Sequence, residues 1–171
     1  MSKQLAKIHA LWIGNKLGPI ARCCLRSFVM RGHDVTLHCY NAIEDIPEGV
    51  ESRDANLIIP KERIVKHKAT GSYALFSDLF RYELLQKLDN NALYVDCDVY
   101  CLKPITIPDN RYLLSYEDDN AINGAVLALP QNSPILNALI SASKDPKFIP
   151  PWYPNMRRFK LRISKYLGFK R

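Results

Sequence analysis

The chain has no apolar run long enough to cross a membrane as a helix. Its first apolar stretch, interrupted by His9, is also too short for a secretory signal, so we expect a cytoplasmic protein. Internal repeats and low-complexity segments are absent as well. With 171 residues, 47% apolar and 24% charged, the composition is that of one globular domain with a real core.

Paired cysteine motifs are also absent. The five cysteines form no C-x-x-C pair and no Cys/His pattern with the spacing of a zinc site. An odd number of cysteines also suits a reducing compartment better than an oxidising one. We therefore expect small buried side chains at Cys23, Cys24, Cys39, Cys97 and Cys101.

Acidic residues are missing from one end of the chain, where residues 157–171 carry seven Lys or Arg residues. These cations account for the net charge of +7, so the rest of the chain is neutral overall. Because the rest of the chain is neutral, the sequence predicts no basic surface that extends over the fold, and we expect no nucleic-acid partner.

The first 41 residues predict a strand, a helix and a second strand. Apolar residues dominate 7–14, and 34–41 alternates apolar and polar side chains. Between them, Pro19 opens the helix 18–32 and Gly32 closes it. A strand, a helix and a strand in succession form a βαβ unit, which implies a parallel sheet.

The rest of the chain also alternates strand and helix patterns, which predicts an α/β fold. In order, we expect an acidic loop at 42–55, a short strand at 56–60, a helix at 72–89 capped by Ser72, a strand at 92–100, strands at 112–116 and 123–130 around a turn at 117–120, and a helix at 133–143 capped by Ser133.

Two aspartates, Asp96 and Asp98, lie at the end of the apolar strand 92–100. Alternate residues of a strand share a face, so both carboxylates should point to the same side. The carboxyl end of a parallel strand is where open α/β sheets bind ligands. A divalent cation, Mg²⁺ or Mn²⁺, would relieve the repulsion between the carboxylates and leave coordination sites for phosphate oxygens.

The D-x-D triplet is weak evidence alone, because a chain of this length contains about one by chance. The simplest alternative explanation of the triplet is that it lies at an exposed strand end and binds nothing. Asp78 and Arg81, three residues apart on the helix 72–89, are also explained most simply as a structural ion pair.

Together, three segments are more specific: "WIG" at 12–14, "SDLFRYELL" at 77–85 and "LYVDCDVYCLKP" at 93–104. Over residues 7–143 the chain resembles the glycosyltransferases with a D-x-D sugar-binding motif, which are related to capsular polysaccharide, α-1,4-galactosyl and α-1,6-mannosyl transferases. The S-D-x-x-R and D-x-D motifs are also similar to those of the large clostridial glucosylating toxins. This resemblance implies a glycosyltransferase-A (Rossmann-like) fold with a mixed, mainly parallel sheet flanked by helices.

The resemblance also implies a retaining enzyme of surface polysaccharide synthesis. Its donor would be a UDP- or GDP-sugar, its acceptor a glycan or a lipid-linked glycan, and its cofactor Mn²⁺ or Mg²⁺. Asp96 and Asp98 are the implied metal ligands and, with Arg81, the implied catalytic residues. The implied donor-binding residues are Trp12, which would stack on the base, Asp78, Arg81 and Asp96, which would contact the sugar or diphosphate, and Asn123 and Gly124, at the junction of donor and acceptor.

Two departures from the family leave a second interpretation open. Residues 89–91 are "DNN" where the family usually has a Gly-Gly turn. Asn can adopt the left-handed backbone conformation that such a turn needs, so this departure is compatible with the family. Family members also usually continue for roughly another hundred residues, although chain length by itself is only weak evidence about domain content. We therefore also expect that the chain could lack the C-terminal part of the family and be a donor-binding remnant without turnover.

A third interpretation is a phosphohydrolase of the haloacid dehalogenase type, whose nucleophile motif is also an apolar strand followed by D-x-D. The acids at 117–119 could supply its second acidic site. Tyr100, however, replaces a usually small residue, and Asp78 and Arg81 would have no role.

The sequence predicts two parts, a nucleotide-sugar-binding domain at 1–146 and, at 147–171, a proline-containing linker followed by a basic amphipathic tail. In the tail, Phe159, Ile163, Tyr166 and Leu167 share one helical face among the cations. Such a helix suits peripheral contact with an anionic membrane at its inner, cytoplasmic face. A solvated helix or a connector to further sequence is the alternative.

Overall fold

The computed structural model describes residues 4–67, 70–119, 121–145, 148–149, 151 and 153–166, with side chains to residue 163 in the last range. The elements in chain order are β1 (Lys7–Trp12), α1 (Gly18–Met30), β2 (Val35–Cys39), β3 (Val50–Asp54), two short 3₁₀ helices (Ala55–Leu57 and Lys61–Arg63), α2 (Ala74–Lys87), β4 (Ala92–Val95), β5 (Leu113–Asp118), β6 (Ala121–Ala128), α3 (Pro134–Lys144) and α4 (Asn155–Tyr166).

The six strands form one sheet in the order β3-β2-β1-β4-β6-β5. The first four are parallel, with Ile8 opposite both Val35 and Leu93, whereas β6 runs antiparallel to β4 and to β5. The predicted α/β fold with a mixed, mainly parallel sheet is confirmed. From β1 the chain moves outward to β2 and β3 and later returns to β4 on the other side, so the strand order reverses between β1 and β4.

Helices cover both faces of the sheet, and two apolar clusters result. On one face α1 places Leu25 and Phe28 against sheet residues that include Leu93. On the other face Phe80 of α2 and Leu136 of α3 lie in a second cluster. The central parallel strands β1, β2 and β4 are largely buried on both sides, as expected of parallel strands between helices.

The helix ends largely follow the predicted signals. Pro19 lies in the first turn of α1, and Gly32 follows its end with a positive φ of 85°. The Ser133 hydroxyl accepts a hydrogen bond from the Leu136 amide at 3.2 Å and caps α3. Ser72 lies one residue before the N-cap of α2, although its hydroxyl accepts from the Ala74 amide at 3.1 Å.

The predicted acidic loop at 42–55 is wrong in part, because it contains β3. This strand lies at the sheet edge and pairs with β2 through its backbone, while Glu51–Asp54 are exposed. It therefore lacks the alternation by which half-buried strands are recognised. The strand predicted at 56–60 is also wrong: the chain turns through a 3₁₀ helix, and Ile59 is buried.

The hairpin formed by β5 and β6 and the strand that precedes Asp96 differ in length from the prediction. β4 ends at Val95, although the Asp96 amide still donates a hydrogen bond to the Ala125 carbonyl on β6. The chain then turns, and the Val99 amide donates to the Asp96 carbonyl at 3.1 Å. Asp98 therefore lies on a turn after the strand. At the hairpin, β5 continues to Asp118, which shortens the predicted turn.

All five cysteines are free thiols. Four are buried, but Cys23 is exposed on α1, so the expectation of a buried side chain is wrong there. In the part of the chain that the structure describes, no helix has the length and apolar character needed to span a membrane.

Two histidines are buried side by side between the sheet and α2. Nδ1 of His9 lies 3.2 Å from Nε2 of His38, and the His38 ring also packs edge-on against Phe80. Within the described residues Nδ1 of His38 has no hydrogen-bond partner. Burial lowers the pKa of His9 to about 3 and the pKa of His38 to about 4, so both rings are neutral in the fold at neutral pH.

This pair should make the fold sensitive to acid. The folded pKa values lie below the unfolded value, so stability is retained above about pH 6.5 and lost below it, where the unfolded chain binds protons that the folded chain excludes. Each ring contributes at most about 1.4 kcal/mol per pH unit. Urea denaturation should show a loss of about 2–4 kcal/mol between pH 6.5 and pH 5.

The double variant His9→Leu/His38→Leu should reduce this pH dependence, and His67→Leu, at an exposed histidine, should not. An equally steep loss of stability in the double variant would contradict the assignment.

Candidate active site

A cleft of about 710 Å³ opens at the carboxyl ends of β1 and β4, where the strand order reverses. Open α/β sheets bind ligands at this kind of position. The lining residues come from the end of β1, the start of α1, the start of α2 and the segment after β4: Leu11, Trp12, Leu17, Pro19, Ile20, Ala21, Ser72, Tyr73, Ala74, Ser77, Asp96, Cys97 and Asp98.

A smaller cavity of about 340 Å³ includes Lys7, Arg53 and Asp89 in its wall. Four of its charged groups are already paired, Lys7 with Asp89 at 2.7 Å and Arg53 with Glu51 at 2.9 Å. The larger cleft offers a ligand the aromatic ring of Trp12 and the carboxylates of Asp96 and Asp98, and it is the better candidate site.

Trp12 is the last residue of β1 and is half-buried at the cleft. Its indole Nε1 donates a hydrogen bond to the Lys16 carbonyl at 3.0 Å. Gly14 leaves space for this indole, because a Cβ there would lie 3.1 Å from Nε1. The loop after β1 thus holds the ring in place before any ligand binds.

Asp96 and Asp98 both line the cleft, but their environments differ. The Asp96 side chain is 33% exposed, and burial raises the pKa of its carboxyl, an effect that nearby Arg81 opposes. Asp98 is exposed on the turn that follows. Within the described residues no group of three or more His, Cys, Asp or Glu side chains could hold a metal ion.

The Asp96–Asp98 pair nevertheless fits a cation that takes only part of its shell from protein. Mg²⁺ is commonly bound by one or two carboxylates, with water and substrate phosphates as the other ligands. The oxygen donors of Asp96 and Asp98 suit Mg²⁺ or Mn²⁺ better than a soft metal.

Arg81 lies behind Asp96 and is 6% exposed. Its Nη2 is 3.3 Å from Oδ1 of Asp78 and 3.3 Å from Oδ1 of Asp96. Nη1 donates to the Gly124 carbonyl, and the guanidinium lies over the Tyr94 ring, 4.8 Å from its centroid. Asp78 and Arg81 therefore form the ion pair that was the simplest alternative for them, and the same guanidinium also binds β6 and the segment after β4.

Ser77 and Tyr94 complete this cluster, although the sequence reasoning assigned them no role. The guanidinium donates to the Ser77 carbonyl at 3.3 Å and to the Ser77 hydroxyl at 3.2 Å. That hydroxyl is also 3.3 Å from the Tyr94 hydroxyl. Ser77 begins the S-D-x-x-R segment and Tyr94 shares a strand face with Asp96, so both signals were present in the sequence.

The remaining candidate residues lie at different distances from the cleft. Asp78 does not line the cleft, and its side chain is 42% exposed. Burial raises the pKa of its carboxyl, and the positive charge of Arg81 opposes this increase. The Asn123 side chain turns onto its own strand, where its oxygen accepts from the Ala125 amide at 2.7 Å. Gly124 contacts Arg81 through its carbonyl, and neither residue lines the cleft.

Comparison with solved structures gives a similar fold. The chain resembles a structure titled "PaToxG Glycosyltransferase" with a TM-score of 0.55 and 16% sequence identity. The similarity covers 96% of this chain and 68% of that chain. The fold of this chain is therefore similar to that of this solved glycosyltransferase structure. No protein-family model matches the sequence, and a comparison with curated proteins gave no match.

The fold should require a glycine at position 124, because the Arg81 guanidinium lies directly against it. A Cβ at this position would lie 2.7 Å from Nη1, so Gly124→Ala must displace the buried guanidinium or its own strand. We expect the free energy of unfolding to fall by about 1–3 kcal/mol, the usual cost of overpacking. Urea denaturation measures this change.

The matched control for Gly124→Ala is the same substitution in the Arg81→Ala background. Because the clash is then removed, the cost of the alanine should fall below about 0.5 kcal/mol. An equal cost in both backgrounds would show that Gly124 is needed for another reason.

Proposed function

We propose that the chain is a metal-dependent glycosyltransferase that moves a sugar from a UDP- or GDP-sugar to a glycan or lipid-linked acceptor. One observation carries this proposal: Trp12, Asp96 and Asp98 line a single cleft at the carboxyl ends of β1 and β4. The similarity of the fold to that of a glycosyltransferase supports it.

The cleft offers a suitable group for each part of a nucleotide-sugar. The indole of Trp12, held by the Lys16 carbonyl, would stack on the base, an interaction that tolerates different bases. Asp96 and Asp98 would bind Mn²⁺ or Mg²⁺, with Asp98 as the more accessible ligand. When bound, the cation would neutralise charge on the departing diphosphate.

Asp78 and Arg81 would act around this centre. Asp78 is partly exposed next to Asp96 and could accept hydrogen bonds from donor-sugar hydroxyls. Arg81 was expected to contact the sugar or diphosphate, but in this structure its guanidinium is engaged by protein groups. We assign it as a positioning residue that fixes Asp96 and, through the Gly124 carbonyl, the strand carrying Asn123.

The reaction would then depend on orientation and on electrostatics rather than on an evident protein nucleophile. Asp96 is held by Arg81 before the donor arrives, so its oxygen needs little reorganisation on binding. Retention of the anomeric configuration, a role in surface polysaccharide synthesis and a cytoplasmic location remain proposals from the family resemblance.

Two other functions make different predictions. A donor-binding remnant would bind nucleotide and metal without turnover. A haloacid-dehalogenase-type phosphohydrolase would use Asp96 as its nucleophile, but the ion pair with Arg81 at 3.3 Å would lower the nucleophilicity of that carboxylate. The fold similarity also favours glycosyl transfer over phosphate ester hydrolysis.

Nucleotide binding should be visible in Trp12 fluorescence. The Trp152→Phe background leaves Trp12 as the remaining tryptophan of the chain. In it, UDP or GDP with Mn²⁺ should quench the emission, since the base stacks on the indole. Asp98→Ala should remove the dependence on Mn²⁺ and weaken binding about tenfold or more, the cost of losing one charged ligand contact.

Asp119→Ala, at an exposed acid that does not line the cleft, is the control and should titrate like the parent protein. If neither nucleotide changes the emission of the parent, both the transferase and the remnant are excluded.

Turnover distinguishes the three functions. We expect slow, Mn²⁺-dependent hydrolysis of a nucleotide-sugar, with water as the acceptor, measured by the release of free nucleotide. Asp96→Asn keeps the shape of the side chain but removes its charge, and should lower the rate about a hundredfold or more.

Binding without hydrolysis of any donor in a panel of nucleotide-sugars would instead identify a remnant. Hydrolysis of small phosphate esters that Asp96→Asn abolishes would support the phosphohydrolase and contradict the transferase.

A further inference from the structure

The helix α4 presents large apolar side chains to solvent. Met156 is 69% exposed, Phe159 is 60% exposed and Ile163 is 43% exposed. Their spacing of three and four residues places them in one stripe along the helix. Single exposed apolar residues are common on proteins, but a stripe of three on one helix indicates a surface that binds something.

Cations flank this apolar stripe. With 3.6 residues per turn, Lys160 falls on one side of the stripe and Arg162 on the other. Arg157 and Arg158 add two more charges, and the Arg157 guanidinium lies over the Tyr153 ring at 4.1 Å from its centroid. The sequence of α4 contains no acid that could neutralise them.

We propose that α4 binds the anionic surface of a lipid membrane. The helix would lie in the plane of the interface, with Phe159 and Ile163 among the acyl chains and Lys160 and Arg162 near the lipid phosphates. One partner then contacts both the apolar stripe and the cations of α4, because an anionic bilayer has an apolar interior beneath a negatively charged surface.

A nucleic acid and a second copy of α4 would each satisfy only one of the two features. A nucleic acid would pair with the cations but would leave Phe159 and Ile163 without apolar contact. A second copy of α4 would cover the apolar stripe but would bring Lys160 and Arg162 close to the same cations of its partner, and like charges repel.

This inference goes beyond the proposed function and does not depend on it, since none of the α4 side chains that the structure describes lines the cleft. If both hold, the transferase would act on acceptors that are themselves at a membrane. A lipid-linked glycan is the class of acceptor that such an attachment would favour.

Co-sedimentation of the full chain with vesicles tests the proposal. We expect binding to phosphatidylcholine vesicles that contain phosphatidylserine, and little binding to vesicles of phosphatidylcholine alone. Lys160→Glu and Arg162→Glu should each weaken binding roughly fivefold or more. Phe159→Ser should weaken it about tenfold, because an apolar side chain no longer enters the interface.

Leu102→Ser and Lys103→Glu are the matched controls, since both residues are exposed outside α4. They should leave vesicle binding unchanged, and circular dichroism should show that all variants are folded. Equal losses in the controls, equal binding to neutral vesicles or no binding at all would each overturn the proposal.

Two further results would assign α4 to another partner and so overturn the proposal as well. One is binding to a nucleic-acid duplex in place of vesicles. The other is a dimer in analytical ultracentrifugation that Phe159→Ser dissociates, with no vesicle binding by the parent chain.

Discussion

The Arg81 guanidinium is buried where α2, β6 and the segment after β4 meet, and a buried charge must be paired and hydrogen-bonded. Asp78, Asp96 and the Gly124 carbonyl supply these partners. Removing one partner of such a pair is costly because it leaves the other charge uncompensated. The position of Asp96 at the cleft is therefore set by the requirement to satisfy Arg81, and the cleft acquires a fixed carboxylate before any ligand binds.

The parallel part of the fold could be predicted because its signals are local. The βαβ unit is visible in the apolar pattern of β1 and β2 and in the Pro and Gly that bound α1. β3 could not be recognised in this way, since an edge strand stabilised by backbone pairing needs no apolar side chains. Ile59 was misassigned for the opposite reason, because an apolar residue can be buried from a turn as well as from a strand.

Part of the candidate site could be predicted for the same reason. Asp78 and Arg81 are three residues apart on one helix, so their contact follows from helical geometry. The contact between Arg81 and Gly124 joins residues 43 positions apart and depends on how β6 pairs with β4. The sequence contains both residues but cannot show that they meet, and this is why their contact was not predicted.

We propose that a divalent cation joins the carboxylates of Asp96 and Asp98 to a diphosphate whose nucleoside lies on Trp12. A crystal structure grown with Mn²⁺ and UDP or GDP, with anomalous data to locate the metal, tests it most directly. We expect a manganese peak within coordination distance of both aspartates and of the diphosphate, with the base against the indole. A peak elsewhere, or a nucleotide bound away from Trp12, would contradict the account.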